Sequence, residues 1–256
     1  MKELLTTGQL QVEIGDTLVC RGLELKISPQ DCWGVLGPNG VGKTTLLHTL
    51  AGLLPVSSGR IMFMQQELHS FSRLELAKRL GLLLQMEEYG FPGNLLETVM
   101  SGRHPHLGYW GWESDTDLQI TRDALQAFGL SGLEYRSINA LSGGEKRRMD
   151  MATLLAQQPL LAMLDEPSNH LDPGQQIACL NLLTGYFQQP GHALIMALHD
   201  INLATRYCDH LLLLQGNGNW LAGPAEQIAT MEHISELYQH PMTGLQGPKG
   251  LVFVAK

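Results

Sequence analysis

The chain is expected to fold as an α/β protein, with a parallel sheet covered by helices on both faces. Three observations carry that expectation. From residue 143 onward, helical patterns alternate with short apolar runs, "LLAMLD", "HALIMAL" and "HLLLLQ". That alternation is the pattern of strands joined by crossover helices. Residues 9–30 instead show short alternating stretches, "LQVEI" and "LVCRGLELKI", which read as two or three antiparallel strands. Residues 92–135 carry two or three helical patterns broken by "GRHPHLGYWGW", which marks a helical insertion.

The remaining elements follow in order. "CWGVLG" is a buried strand leading into a glycine-rich turn, and "KTTLLHTLAGLL" has helical length with an apolar face. Residues 60–64 read as a strand and 73–80 as a helix. The hairpin after "SGRIMF" turns on Met64-Gln65-Gln66, which offers no ready residue for a positive φ. The tail from about 216 is mixed. There is no internal repeat and no low-complexity tract.

Composition sets limits. With 256 residues and 44% hydrophobic content, the chain suits one large domain, or a core with a smaller inserted subdomain. The net charge of −8 and a pI near 5.6 leave no basic footprint for nucleic acid. Cys20, Cys32, Cys179 and Cys208 form no CxxC pair, as expected of a reduced, cytosolic chain without a disulfide framework or zinc site. "ALIMAL" and "LLLL" fall far short of the roughly 18 apolar residues that cross a bilayer. The N-terminus turns polar too soon for a signal peptide. Any membrane connection is therefore expected to run through a partner.

"GPNGVGKTT" fits the phosphate-loop pattern G-x-x-x-x-G-K-[ST], and it follows a strand and opens a helix. The loop Gly37, Pro38, Asn39, Gly40, Val41 and Gly42 would close around phosphate oxygens, with backbone N–H groups from all of them except Pro38. Lys43 would meet the β- and γ-phosphates, Thr44 would coordinate magnesium, and Thr45 would reach the α-phosphate. "LLAMLDEP" is an apolar strand ending in Asp165 and Glu166, and strand ends are where such a sheet binds its ligand. Asp165 would hold magnesium through water. Glu166 would polarise the attacking water, by analogy with such carboxylates elsewhere. "LSGGEKRRMD" places two glycines at the start of a helical stretch, an N-terminus suited to an anion.

In this order and spacing, the phosphate loop, "LSGGE", "LLAMLDEP", "SNHLD" and "ALHD" resemble the ATPase subunit of an ABC transporter over nearly the whole chain. The resemblance implies a P-loop NTPase (RecA-like) core with an antiparallel β-subdomain, at about 1–85 and 158–215. It also implies an inserted α-helical subdomain at about 86–157 and a C-terminal tail at about 216–256. It implies ATP and Mg²⁺ as cofactors, and a homodimer that sandwiches two nucleotides. Ser142, Gly143, Gly144 and Glu145 would then belong to a signature motif that binds the γ-phosphate held by the other copy. Gln85 resembles the glutamine that touches magnesium, so the implied magnesium set is Thr44, Gln85 and Asp165. His199 resembles the switch histidine at the γ-phosphate. Asp172 resembles the aspartate of the loop crossing the dimer interface, and it also reads as a helix N-cap before Pro173.

The chain departs from the family at Ile14, where many members stack an aromatic residue on adenine; apolar contact would replace stacking. "SGRHPHLGYWGW" and "ALHDINLATRYCDH" resemble the subgroup that powers iron–siderophore, haem and cobalamin importers. That implies transmembrane permease partners, indirectly a substrate-binding protein, and a peripheral place on the inner face of the membrane. Tyr109, Trp110 and Trp112 read either as a patch for the permease or as packing within the helical subdomain. Two alternatives stay open: an ABC ATPase acting without a permease, as in iron–sulfur cluster assembly, and one serving another substrate class such as a metal ion or molybdate.

Overall fold

In the computed structural model, residues 2–85, 93–108, 111–247 and 250–256 are described. An antiparallel sheet forms first. Strand β1 (Leu5–Ile14) pairs with β2 (Thr17–Leu23) and β3 (Lys26–Ile27), and on its other side with β5 (Ser58–Phe63), which turns into β6 (Gln66–Glu67). Between them in sequence lie β4 (Cys32–Leu36) and helix α1 (Lys43–Leu50). The second sheet has the order β11-β10-β4-β9-β8-β7. Its strands are β7 (Leu80–Leu83), β8 (Leu161–Asp165), β9 (Ala193–Ala197), β10 (His210–Gly216) and β11 (Asn219–Pro224). β4, β7, β8, β9 and β10 run parallel, and β11 closes the edge antiparallel to β10.

Both faces of this sheet are covered, which is why its strands read as unbroken apolar runs. Successive side chains point to opposite faces. Leu161 and Met163 of β8 join the core beneath the antiparallel sheet and α1. Ala162 and Leu164 join the core beneath the helices. β9 divides the same way, with Ile195 on one side and Met196 on the other.

The helical layer comprises α3 (Leu95–Met100), α4 (Asp115–Ala127) and α5 (Gly143–Gln157). Each starts at a capping box, on Asn94, Ser114 and Ser142 respectively, so the first-turn N–H groups are satisfied locally. Arg103, in a short turn after α3, donates to Asp117 of α4 at 2.9 Å and to the Ala156 carbonyl at the end of α5 at 2.8 Å. This buried fork ties the "GRHPH" segment to the far end of the helix that begins at the signature. α6 (Pro173–Phe187) and α7 (Ile201–Tyr207) cover the same face. The chain ends in α8 (Ala225–Ile228), α9 (Met231–Tyr238) and a hairpin of β12 (Met242–Gly247) and β13 (Gly250–Ala255). Among the described residues, no helix is long and apolar enough to cross a membrane.

Two local readings change. The helix expected over 73–80 is shorter: α2 covers Arg73–Ala77, and Leu80 already pairs with Leu161 as the first residue of β7. The gain from pairing an apolar run onto β8 at the edge of the sheet outweighs one more helical turn. Asn219–Pro224, assigned from sequence to the mixed tail, is an edge strand of the main sheet.

The hairpin after β5 is a two-residue turn, with Met62 opposite Glu67 and Phe63 opposite Gln66. Met64 (φ 48°) and Gln65 (φ 67°) both occupy the left-handed region. A tight hairpin of this hand needs that backbone, so two ordinary side chains adopt it under strain. Met64→Asn with Gln65→Gly is expected to stabilise the protein by about 1 kcal/mol, raising Tm by roughly 2–4 °C. Calorimetry checks this; an unchanged Tm would show that the turn carries no strain.

Candidate functional site

The candidate residues converge at the C-terminal ends of the parallel strands, where an open α/β sheet binds its ligand. The loop from Gly37 to Gly42 leaves β4 and enters α1. Gly42 has φ 105°, and a Cβ there would lie 2.4 Å from the Val19 side chain. A larger residue at 42 would therefore be strained in backbone and blocked in space. Lys43 is buried and folds back over its own loop, donating to the Gly37 carbonyl at 2.8 Å and the Pro38 carbonyl at 3.2 Å. Burial lowers its pKa, and the Glu166 and Asp165 charges oppose that shift.

Asp165 ends β8 and is completely buried. Its Oδ2 accepts from the Thr44 hydroxyl at 2.6 Å, while its Oδ1 is buried without a hydrogen-bond partner. Glu166 follows with φ 49°, a left-handed conformation rare for a glutamate. The strain turns its carboxylate into a ring of donors. Gln85 Nε2, two residues beyond β7, donates to Oε2 at 2.8 Å. Asn169 Nδ2 also donates to Oε2, and His199 Nε2, beyond β9, lies against Oε1. Burial pushes the Glu166 pKa up. The hydrogen bonds from Asn169 and His199, with the charges of His199 and Lys43, outweigh it and hold the carboxyl below its ordinary value.

Gln85, expected beside magnesium, thus has its amide on Glu166. Asn169 stood inside a quoted motif but was given no part. Arg147 was missed altogether. It is buried in α5 and donates to the carbonyls of Leu84 at 2.6 Å, Asp165 at 2.7 Å and Glu166 at 2.9 Å. The signature helix is thereby tied to the loops carrying Gln85 and Glu166. A signal existed: Arg147 shares an i, i+4, i+7 stripe with the buried Met151 and Leu154, a charge on an apolar face.

The "LSGGE" segment is exposed at Ser142 and Gly143. Ser142 Oγ accepts from the Glu145 N–H at 3.2 Å, and Ser142 N–H donates to Glu145 Oε2 at 2.7 Å. The hydrogen bonds of Ser142 stay within its own helix cap, and those of Lys43 within its own loop. Asp172 is the N-cap of α6, accepting from the Gln175 N–H at 2.9 Å, with Pro173 next. Its loop lies close to the signature: a Cβ on Gly144 would stand 3.3 Å from the His170 carbonyl. Ile14 is 51% exposed, and Trp112 is 89% exposed; Tyr109 and Trp110 lie outside the described residues.

The sequence profile described as "ABC transporter" matches residues 20–169. An uncharacterized ABC transporter ATP-binding protein of Bacillus subtilis, YvrA, is 34% identical over 94% of this chain, which spans about half (55%) of that protein. The haemin import ATP-binding protein HmuV of Pseudomonas aeruginosa is 37% identical over 94% of this chain and 97% of its own length. The ferric enterobactin transport ATP-binding protein FepC of Escherichia coli is 34% identical over 90% of this chain and 85% of its own. Among solved structures, one described as an inward-facing metal-chelate type ABC transporter superposes with a TM-score of 0.86 at 26% identity, covering 100% of this chain and 98% of that one. A phosphate loop closed by its own lysine, an acid pair at the end of β8, one strand removed from β4 in the same sheet, and relatives similar over nearly full length converge on one assignment: the chain belongs to the ABC transporter family.

Proposed function

We propose that this chain is the ATP-hydrolysing subunit of an importer for a metal chelate of the iron–siderophore, haem or cobalamin type. The observation that carries the reading is the Glu166 carboxylate, held by Gln85, Asn169 and His199 beside the Thr44–Asp165 pair. The subgroup comes from the "GRHPHLG" resemblance and the relatives named for haemin and ferric enterobactin import.

The residues divide the work. The loop of Gly37, Pro38, Asn39, Gly40, Val41 and Gly42, through the backbone N–H groups of every member but Pro38, cradles the phosphates together with Lys43 and Thr45. Lys43 moves its charge from the loop carbonyls to the β/γ-phosphates. The donor set fits magnesium: the orphaned Oδ1 of buried Asp165, the Thr44 hydroxyl and the Gln85 amide oxygen are hard oxygen ligands. When bound, the ion neutralises charge between the phosphates. Glu166, kept ionised, orients water for attack and accepts its proton, and His199 contacts the γ-phosphate. Adenine rests on exposed Ile14 by apolar contact.

Two copies assemble head to tail. Ser142, Gly143, Gly144 and Glu145 of each close on the nucleotide of the other, with the Asp172 loop between them. In this reading the helical subdomain, about 86–157, carries the signature against the core, and the dimer sits peripherally on the inner face of the membrane. Its partners are two permease subunits and, indirectly, a substrate-binding protein.

The test is uptake of radiolabelled ferric siderophore, haem and cobalamin in cells expressing the chain together with a metal-chelate permease. One chelate should accumulate with the wild type and not with Lys43→Ala. ATP hydrolysis with no permease-dependent membrane association would favour the iron–sulfur assembly alternative, and uptake of free metal ion or molybdate the other. Exposed Trp112 supplies a contact arm. Trp112→Ala is expected to reduce co-purification with the permease several-fold while the ATPase rate of the isolated subunit changes less than twofold. Undiminished co-purification would remove Trp112 from the interface.

A further inference from the structure

The loop carrying His199 is held from two sides. On the sheet side, the Leu198 N–H donates to the Val35 carbonyl of β4 at 3.0 Å. On the other side stands the C-terminal segment. Tyr238, the last residue of α9, donates its hydroxyl to the His199 carbonyl at 3.0 Å. Asn202, three residues beyond His199, exchanges two hydrogen bonds with the backbone of Phe253 in β13: Asn202 Nδ2 donates at 3.0 Å, and the Phe253 N–H donates back at 2.7 Å. Phe253 is buried in the same core cluster as Ile234 and Leu237 of α9. α9 lies against β12, β12 pairs with β13, and β13 lies against α7.

The consequence is geometric. The His199 imidazole sits on Glu166, and its backbone carbonyl sits on Tyr238. A strand-to-helix turn leaves its carbonyl free to rotate unless a donor binds it. Here one hydroxyl sets that peptide plane, and with it the direction of the side chain. Burial and then the Asp200 charge push the Tyr238 hydroxyl up to about 12, so it stays a donor at neutral pH.

We propose that Tyr238 is a positioning residue for hydrolysis: by binding the His199 carbonyl, it fixes the loop that holds the His199 imidazole against Glu166. The C-terminal unit is then part of the catalytic support, reaching the reacting groups only through His199. The inference rests on the reading of Glu166 and His199 as hydrolytic groups.

Tyr238→Phe keeps the ring and removes the hydroxyl. Per ATP-binding site, kcat is expected to fall about fivefold, equivalent to about 1 kcal/mol at 1.4 kcal/mol per tenfold. KM for ATP should be unchanged, because the phosphate loop has its own supports. The deciding measurement is the cycle with His199→Ala. If Tyr238 acts through His199, the double variant turns over no more slowly than His199→Ala alone. A further fivefold loss in the His199→Ala background would overturn the proposal, placing the effect elsewhere. Wild-type kcat in Tyr238→Phe, with His199→Ala impaired, would overturn it while leaving the hydrolytic reading intact. Wild-type kcat in His199→Ala would overturn the reading itself and the inference with it.

Discussion

Glu166→Gln is expected to slow ATP turnover by roughly 10²-fold or more, the scale of a positioned general base, while ATP binding survives. The substitution is isosteric, and it keeps the left-handed backbone that aims the side chain. It removes the charge and half the acceptor capacity. Gln85 and Asn169 both present N–H donors to Oε2, so the new amide can satisfy them with its oxygen or face water, and not both. The phosphate loop and Lys43 are untouched. The variant should therefore accumulate as an ATP-loaded dimer, visible by size exclusion with nucleotide retained. Single-turnover hydrolysis checks the chemical step, and a normal rate there would show that Glu166 does not handle the water.

Lys43→Ala is expected to weaken ATP binding and cut hydrolysis by about 10²-fold or more, the range for losing a preorganised charge on the transferring group. Two losses combine. The charge at the β/γ-phosphates goes, and so do the bonds to the Gly37 and Pro38 carbonyls that hold the loop closed. A rate within about twofold of wild type, only ~0.4 kcal/mol of barrier, would sink the phosphate-loop reading. The same variant tests whether the site is shared. Ser142→Arg puts bulk and charge where a hydroxyl and N–H groups should meet a partner's γ-phosphate. In a mixed dimer of the two variants, one site takes both lesions and the other takes none. Hydrolysis from that intact site is the expected result. A crosslink joining Ser142 to Lys43 within one chain would refute sharing.

Much of the site was legible because its parts are local. A phosphate loop works through the backbone of six residues and one lysine, so its glycines and their spacing are readable without the rest of the chain. Asp165 and Glu166 were legible for a related reason: the apolar run of β8 must end somewhere, and two acids mark the end. The cap at Asp172 was legible because it depends on a residue within three positions; the cap at Ser142, equally local, was not read. The parallel sheet followed from the alternation of patterns, and its strand order did not.

The rest was decided by packing between distant segments. Gln85 and Glu166 are 81 residues apart, and the amide lands on the carboxylate because β7 pairs with β8. Arg147 is functional in appearance only once α5 lies across the ends of those strands, where four carbonyls need a donor. Met64 and Gln65 accept an unfavourable backbone because the register between β5 and β6 demands it. Tyr238 gains its partner through the docking of a C-terminal unit with no motif of its own. The sequence by itself determined the fold class and carried the phosphate-loop and acid-pair patterns, since each is written in spacing and periodicity over a few residues, and the order of its motifs carried the resemblance to the family. Only the tertiary structure decided which donors surround Glu166 and what steadies His199, because a hydrogen bond between distant segments depends on where whole elements pack, and no local pattern encodes that.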